Sequence, residues 1–308
     1  SSLAKKVGIK MGVPFFQIKQ IVKKYHVQVF SSNYSLYGNI SSRVMGVLKN
    51  YCDQLEIYSV DEAFLVLNKY SQRSFYTRAE EIRKVIKKWL GVPVSIGIAE
   101  NKTLSKVANY LAKKDEMGSQ VVELLTKKQI EISLKFLDIA DIWGIGSRIS
   151  AFLQSRGIKS AYDLYKSDPR WIRQNLGVVG ERTYRELHGE ICFPITEKIQ
   201  AKKQCRVSRS FEIYICTFED LEKRVVSYAT RASEKIRSDG LQAKKITVFI
   251  KSNKFNKSSE LYYSFKTYVF ISPTNDLFEI IKAAISILKK IYRLGVKYKK
   301  AGVLLSDL

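Results

Sequence analysis

Histidine is almost missing from this 308-residue chain. His26 and His188 stand far apart, which argues against a histidine-based zinc site. The four cysteines, Cys52, Cys192, Cys205 and Cys216, show no CxxC spacing and read as ordinary residues of a reducing compartment. No apolar run approaches the roughly 18 to 20 residues of a transmembrane helix, and the opening residues do not read as a secretory leader. A cytoplasmic protein is therefore expected. No low-complexity tract and no sequence repeat is visible. Acidic residues are also scarce: 29 Asp and Glu stand against 53 Lys and Arg, a net charge of +24. That excess points to a polyanion, either nucleic acid or an anionic membrane surface, unless the chain is a basic protein with no such partner. What the chain does have is 45% hydrophobic and 12% aromatic residues, enough for real cores in two or three domains.

The stretch around which the rest is organised is Ile57-Tyr58-Ser59-Val60-Asp61-Glu62-Ala63-Phe64-Leu65. Two adjacent carboxylates interrupt a strand-like apolar run. Alternation puts Ile57, Ser59 and Asp61 on one face and Tyr58, Val60 and Glu62 on the other. Carboxylates that act together here need a tight turn or bulge between two strands, and burying them needs a cation partner. Two readings fit: a polar hairpin turn, or a divalent-metal site whose hard oxygens leave room for substrate phosphates.

Ala4 to Gly12 reads as a helix end and its turn. A short helix follows Pro14 and ends near Tyr25, and Val27 to Phe30 looks like a strand. Ile40, Val44, Val47, Leu48 and Tyr51 form one helical stripe. After the 55–67 hairpin come a helix over about 74–90, an alternating strand from Val92 to Ile98, a helix from Asn101 to Lys113, and a strand near Gln120 to Leu124 that would close the sheet. This order is that of a ferredoxin-like split βαβ sheet without its first strand. The Asn101–Lys113 helix carries Leu104, Val107, Ala108 and Leu111 on one face. Lys102, Lys106, Asn109 and Lys113 lie on the opposite face, either as a solvated exterior or against a triphosphate or DNA phosphates.

From about 126 the chain is helical. Asp141-Ile142-Trp143-Gly144-Ile145-Gly146, followed by Ile149, Leu153, Gly157 and Ile158, reads as a helix-hairpin-helix element or as a plain turn between helices. In the first reading the next helix's N–H groups bind a DNA phosphate without reading sequence. Leu176-Gly177-Val178-Val179-Gly180 is a weaker second copy. A basic linker (193–204) precedes a complete βαββαβ unit: a strand over 205–215, a helix over 218–238, strands over 245–251 and 261–272, a helix over 276–293 and a strand over 301–306.

With these residues in view the chain resembles the Y-family translesion DNA polymerases, UmuC branch. The matching stretches are Ser31-Ser32-Asn33-Tyr34-Ser35-Leu36-Tyr37, Ser41-Ser42-Arg43-Val44-Met45, Tyr58-Ser59-Val60-Asp61-Glu62-Ala63-Phe64, Gly97-Ile98-Ala99-Glu100-Asn101-Lys102-Thr103-Leu104-Ser105-Lys106, Asp141 to Gly146, and Lys300-Ala301-Gly302-Val303. They span essentially the whole chain. The resemblance implies an α+β right-hand polymerase: small fingers (1–33), a ferredoxin-like palm (34–125), a helical thumb with the helix-hairpin-helix (126–192), and a βαββαβ little finger (205–308). It implies error-prone, template-directed transfer of deoxynucleotides to a primer 3′-hydroxyl in the DNA-damage (SOS) response. Two Mg²⁺ ions are implied, with Asp61 as a metal ligand and Glu62 as a catalytic carboxylate at the metal site. Lys113 and Lys5 would hold the triphosphate, while Ser2 stands where many members carry a phosphate-contacting Tyr. Lys102 and Lys106 would support phosphate binding or palm structure. Gly144, Ile145, Gly146, Arg148, Gly177 and Gly180 would contact DNA. The implied partners are primer–template DNA, a deoxynucleoside triphosphate, a processed UmuD dimer, a recombinase filament and a sliding clamp, in the bacterial cytoplasm at the nucleoid.

Two departures accompany the resemblance. The family's first palm strand, with a further metal-binding Asp and the aromatic residue that excludes ribonucleotides, has no counterpart here. The family's tail beyond the little finger is likewise not in the sequence. The chain is therefore expected to be part of a longer protein, with an incomplete metal site. A DNA-binding scaffold that has lost catalysis is the alternative, which the Asp61, Glu62 and Lys113 set argues against. A metal-dependent nuclease is a third reading, disfavoured by the triphosphate-side Lys113. DNA binding is expected to be independent of sequence and strongly salt-sensitive, with log K falling against log salt by about 0.9 per phosphate neutralised. A flat slope in a fluorescence-anisotropy titration would count against a phosphate grip.

Overall fold

Short polar side chains fix most of the helix starts. The computed structural model describes residues 2–67, 73–114, 118, 120–197, 201–253 and 261–308. It divides the chain into two units, Ser1–Lys198 and Ile199–Leu308. The first unit begins with α1 (Ser2–Lys6) and α2 (Phe15–Lys24), the latter starting directly after Pro14. α3 (Tyr34–Leu48) is capped by the Asn33 side chain, which accepts from the Leu36 N–H. β1 (Gln54–Ile57) and β2 (Ala63–Val66) pair antiparallel, Leu55 opposite Leu65. α4 (Phe75–Leu90) starts at the Ser74 cap and stops at Gly91, whose φ of 70° is the left-handed geometry that ends helices. β3 (Ile96–Ala99), α5 (Lys102–Lys114) and β4 (Val121–Leu124) form a βαβ unit with β3 and β4 parallel.

The helical segment follows. α6 (Lys127–Lys135) opens with a Thr126–Gln129 capping box, and α7 (Ser147–Ser155) starts after Gly146. α8 (Ala161–Tyr165) opens with a Ser160–Asp163 box, and α9 (Pro169–Leu187) begins after Asp168 with proline in its first turn. Leu104, Val107 and Ala108 of α5 share one core with Leu134, Ile139, Leu153, Leu164, Ile172 and Leu187. α5 is thus the element on which both the sheet and the helical segment pack.

In the second unit, β5 (Gln204–Ile215), α10 (Phe218–Ser238), β6 (Ala243–Ser252), β7 (Tyr263–Thr274), α11 (Leu277–Ile291) and β8 (Tyr298–Ser306) give the expected βαββαβ order. The sheet order is β5-β8-β6-β7, with every neighbouring pair antiparallel. The two helices bury Leu221, Val225, Ala232, Ile280, Ala284 and Leu288 against Ile246, Val248, Ile250 and Val303 of the sheet.

Three expectations change. Val27–Phe30 is not a strand. It has no pairing partner among the described residues, and Val29 and Phe30 are exposed, so β propensity alone does not make a ladder there. The strand expected from Val92 starts only at Ile96, because Pro93 has no N–H and the Val94 carbonyl accepts from Arg83 Nε at 2.8 Å. The expected single palm sheet is two separate two-stranded ladders, β1–β2 and β3–β4. They share a core in which Val92, Val94 and Ile96 pack against Met45, Leu48, Leu55, Ile82 and Ile86.

β3 and α5 touch backbone to backbone. A Cβ on Gly97 would collide with the main chain of Ser105, Ala108 and Asn109, so only glycine allows this approach. Gly97→Ala is expected to lower stability by about 3 kcal/mol, the upper end of overpacking costs, read as a lower urea midpoint. An unchanged midpoint would show that α5 can move away freely.

Candidate active site

The β1–β2 connection is a tight turn in which the N–H groups of Tyr58 and Ser59 both donate to the Glu62 carbonyl at 3.0 Å. This closure resolves the alternation problem, because it brings Asp61 and Glu62 together at the tip. The Ser59 hydroxyl donates to Asp61 Oδ1 at 2.6 Å and accepts from the Asp61 N–H at 3.3 Å, fixing that carboxylate. Asp61 is exposed, with no cation paired to it among the described residues.

Glu62 is in a different state. Its carboxylate lies between two ammonium groups of α5: Lys106 Nζ at 2.5 Å from Oε2, and Lys113 Nζ at 3.6 Å from Oε1. Residues 106 and 113 are seven apart, two helical turns, so both project toward the same tip. The lysine face of α5 therefore meets the carboxylate hairpin. The third lysine, Lys102, is buried. Its Nζ reaches Glu56 Oε2 at 2.6 Å and the Pro194 carbonyl at 2.9 Å, and Glu56 also accepts from the Thr196 N–H at 2.6 Å. Asn109, the fourth residue of that face, accepts from the Ser95 hydroxyl at 2.6 Å.

The start of α5 is held from the helical segment. Glu186 is fully buried, and its carboxylate accepts from the backbone N–H groups of Thr103 (2.8 Å), Cys192 (3.1 Å) and Phe193 (2.9 Å). An anion at a helix N-terminus is favoured by the exposed amides and the helix dipole. Asn101 completes the junction: its amide donates to the Glu186 and Glu190 carbonyls, and its oxygen accepts from the Leu104 N–H. Neither Glu186 nor Glu56 stands out in the sequence as a site residue. Their partners on α5 are 83 and 46 positions away, and no local pattern marks them.

An aromatic cluster lies under the turn. Tyr58, Phe64, Trp143 and Phe193 make edge-to-face contacts with ring centroids 5.5–5.9 Å apart, each such pair contributing about 0.5–1.5 kcal/mol beyond its buried area. Lys106 Nζ stands 4.7 Å from the Tyr58 ring centroid and 5.6 Å from that of Phe64. Trp143 Nε1 donates to the Tyr58 hydroxyl at 3.0 Å.

The expected DNA-contacting residues lie together in the helical segment. Gly144 takes φ 89°, Ile145 is buried, Gly146 caps α7 without a side-chain cap, and Arg148 is exposed. Gly177 breaks α9 with φ 67° and ψ −165°, and Gly180 packs on Leu176. Gly144, Ile145, Leu176, Val179 and Gly180 line one small cleft, so the two glycine hairpins are neighbours. Lys5 is exposed on α1 and joins no ion pair among the described residues; the structure does not bring it to the carboxylates. The Ser2 side chain lies outside what the structure describes.

In the second unit, the open sheet face carries cations. Lys251 and Lys300 are register partners, and Arg206 stacks 4.4 Å from the Phe249 ring centroid. Burial, together with the charges of Lys251 and Arg206, pushes the Lys300 ammonium below its ordinary pKa.

The donor chemistry fits a hard divalent cation. Magnesium commonly takes one or two carboxylates and completes its shell with phosphates and water, and Asp61 and Glu62 supply two such donors from one turn. Among the described residues no group of three or more His, Cys, Asp or Glu side chains gathers into a metal cage. Also among them, no helix is long and apolar enough to cross a membrane. Breaking the Lys102–Glu56 pair from one side is expected to cost about 3 kcal/mol, because it strands a largely buried carboxylate. The check is the urea midpoint of Lys102→Met, with the Lys102→Met/Glu56→Gln double variant recovering part of the loss.

Comparisons with known proteins bear on the family and the fold. Residues 1–110 match the impB/mucB/samB family and residues 202–308 match its C-terminal domain. The chain is 39% identical to protein UmuC of Salmonella typhimurium over all of this chain and 73% of that protein. It is 36% identical to protein MucB of Escherichia coli over 99% of this chain and 73% of that one. DNA polymerase IV of Staphylococcus aureus is 26% identical over 83% of this chain and 70% of its own. Among solved structures, a Y-family DNA polymerase chimera of Dbh and Dpo4 superposes with a TM-score of 0.77 at 21% identity, covering all of this chain and 86% of that one. DinB from Sulfolobus solfataricus gives 0.54 at 20% identity, with coverage of 100% and 86%. With its carboxylate hairpin, its lysine helix and its closing βαββαβ unit, this chain has the α+β fold of the Y-family polymerases and belongs to the impB/mucB/samB family.

Proposed function

We propose that this chain acts as an error-prone translesion DNA polymerase of the SOS response, extending a primer 3′-hydroxyl with deoxynucleotides along a damaged template. The observation that carries this reading is Glu62, beside Asp61 at the tip, facing Lys106 and Lys113 across a few ångströms. A scaffold has no need of a carboxylate pair set opposite triphosphate-sized positive charge.

The parts divide the work as follows. Residues 1–33 act as small fingers, 34–125 as palm, 126–192 as thumb, 193–204 as a basic linker and 205–308 as little finger. Asp61 and Glu62 hold the divalent metal, assigned as two Mg²⁺ ions. The metal, when bound, supplies charge neutralisation at the reacting phosphate and lowers the pKa of the attacking hydroxyl. Asp61 is ready for this: it is exposed, oriented by Ser59, and bears no competing cation among the described residues. Glu62 is reached through exchange. The triphosphate draws Lys113 off the carboxylate while Lys106 stays on Oε2, so nucleotide binding and the freeing of Glu62 Oε1 are one event. Lys113 is the more exposed of the two, with 59% of its side-chain surface accessible against 17% for Lys106, and is the first to meet the phosphates. Lys5 serves as a further triphosphate contact if the fingers close toward the tip.

DNA is held through phosphates. Gly144, Ile145, Gly146 and Arg148 present the uncapped α7 amides to one phosphate, and Gly177 and Gly180 form the neighbouring contact. The net charge of +24 and the open Arg206–Lys251–Lys300 face serve the same partner. A processed UmuD dimer, a recombinase filament and a sliding clamp are the partners that the family reading adds. The cytoplasm, at the nucleoid, is the place that follows from a DNA substrate.

The deciding experiment is primer extension on an abasic-site template with the full-length protein, clamp and accessory proteins. Asp61→Ala is expected to abolish extension while leaving DNA binding intact. Lys113→Ala is expected to raise the KM for the nucleotide about 10-fold or more, the loss of one charge-assisted contact. Equal extension by parent and Asp61→Ala sinks the site assignment. DNA binding without extension by the parent moves the reading to a scaffold subunit.

A further inference from the structure

We propose that Trp143 is a positioning residue that ties the glycine hairpin at 144–146 to the Asp61–Glu62 turn, so that DNA seated on the hairpin sets the geometry of the carboxylate tip. The inference rests on the polymerase reading above and adds a link that the reading does not require. Trp143 is the residue directly before Gly144, whose φ of 89° fixes the direction in which the chain leaves the indole. The indole is not turned into the core of the helical segment. It reaches across to the palm hairpin, where Nε1 donates to the Tyr58 hydroxyl at 3.0 Å. Its ring packs edge to face on Tyr58, Phe64 and Phe193 at centroid distances of 5.7, 5.9 and 5.5 Å.

What the indole touches is the frame of the tip. The Tyr58 N–H closes the turn onto the Glu62 carbonyl, and the Tyr58 ring carries Lys106, which in turn holds the Glu62 carboxylate. A shift of Trp143 therefore reaches Glu62 by two routes, one through the backbone of the turn and one through the ammonium. Both are contiguous packed contacts, the kind of path along which displacement is carried. Displacing reacting groups by about 1 Å costs on the order of 100-fold in rate. Strength of DNA binding, by contrast, lies in the α7 amides and surface cations, which the indole does not touch.

The test uses the full-length protein in single-turnover extension, with DNA Kd, nucleotide KM and kcat measured separately. Trp143→Ala is expected to lower kcat by about 10- to 100-fold, with DNA Kd within about 3-fold of the parent. The milder pair Trp143→Phe and Tyr58→Phe removes either end of the hydrogen bond without emptying the ring cluster. Each is expected to lower kcat by a few fold, and the double variant no further than either single, the signature of one shared contact. These 308 residues hold three tryptophans, so a direct signal comes from this chain itself: with Trp89 and Trp171 replaced by Phe, the emission of Trp143 is expected to change on adding primer–template DNA before any nucleotide. Parent-like kcat in Trp143→Ala, additive losses in the double variant, or a parallel loss of DNA affinity, kcat and thermal midpoint each overturn the proposal. A parent that binds DNA and extends no primer overturns the polymerase reading, and this inference with it.

Discussion

A carboxylate taken out of water needs a cation or several N–H donors near it, and this constraint orders the first unit. Glu62 and Glu56 both lie against the same helix, and that helix answers each with a lysine at short range, Lys106 and Lys102. For the lysines to arrive, α5 must lie close on β3, which Gly97 permits. For α5 to keep its axial position, its first turn must be anchored, which the buried Glu186 and Asn101 do. The helix that the core needs for packing and the helix that the tip needs for charge balance are one element. Its Leu104–Val107–Ala108 face goes to the core and its lysine face to the hairpin.

The same arrangement gives the two adjacent carboxylates different characters. Asp61 is held by a neutral hydroxyl and faces outward; Glu62 is neutralised by two ammonium groups. In the proposed reaction the first takes a cation directly, and the second first exchanges a lysine partner. That ordering needs no moving domain, only the exchange of charge partners within a few ångströms.

Much of this was legible in the sequence. The hairpin could be read because apolar runs flank Asp61 and Glu62, and the lysine register of α5 because 102, 106 and 113 fall on one helical face. The direction in which that face points was not legible: a lysine stripe looks the same whether it meets water or carboxylates, and the deciding partners, Glu56 and Glu62, are 46 and 44 positions away. Trp143 could be seen as part of a glycine hairpin, while its hydrogen-bond partner Tyr58 lies 85 positions earlier. Val27–Phe30 misled for the converse reason. Its residues favour strands, but a strand is a property of a pair, and no described segment pairs with it. Pro93 shortened β3 by a rule that is local and readable, once the Val94 carbonyl is seen to be claimed by Arg83.

The double ion pair at Glu62 has a consequence for how such a site can be dissected. Removing that carboxylate does more than delete one acid: it leaves Lys106 and Lys113 as unbalanced neighbours at the rim of the turn, with Lys106 partly buried over two aromatic rings. A neutral replacement at 62 therefore creates a standing anion trap that pyrophosphate, buffer phosphate or stray nucleotide can fill. Its kinetics would then report product inhibition and altered salt response as much as lost chemistry. Position 61, whose carboxylate carries no such counterions among the described residues, is where a substitution isolates a single function.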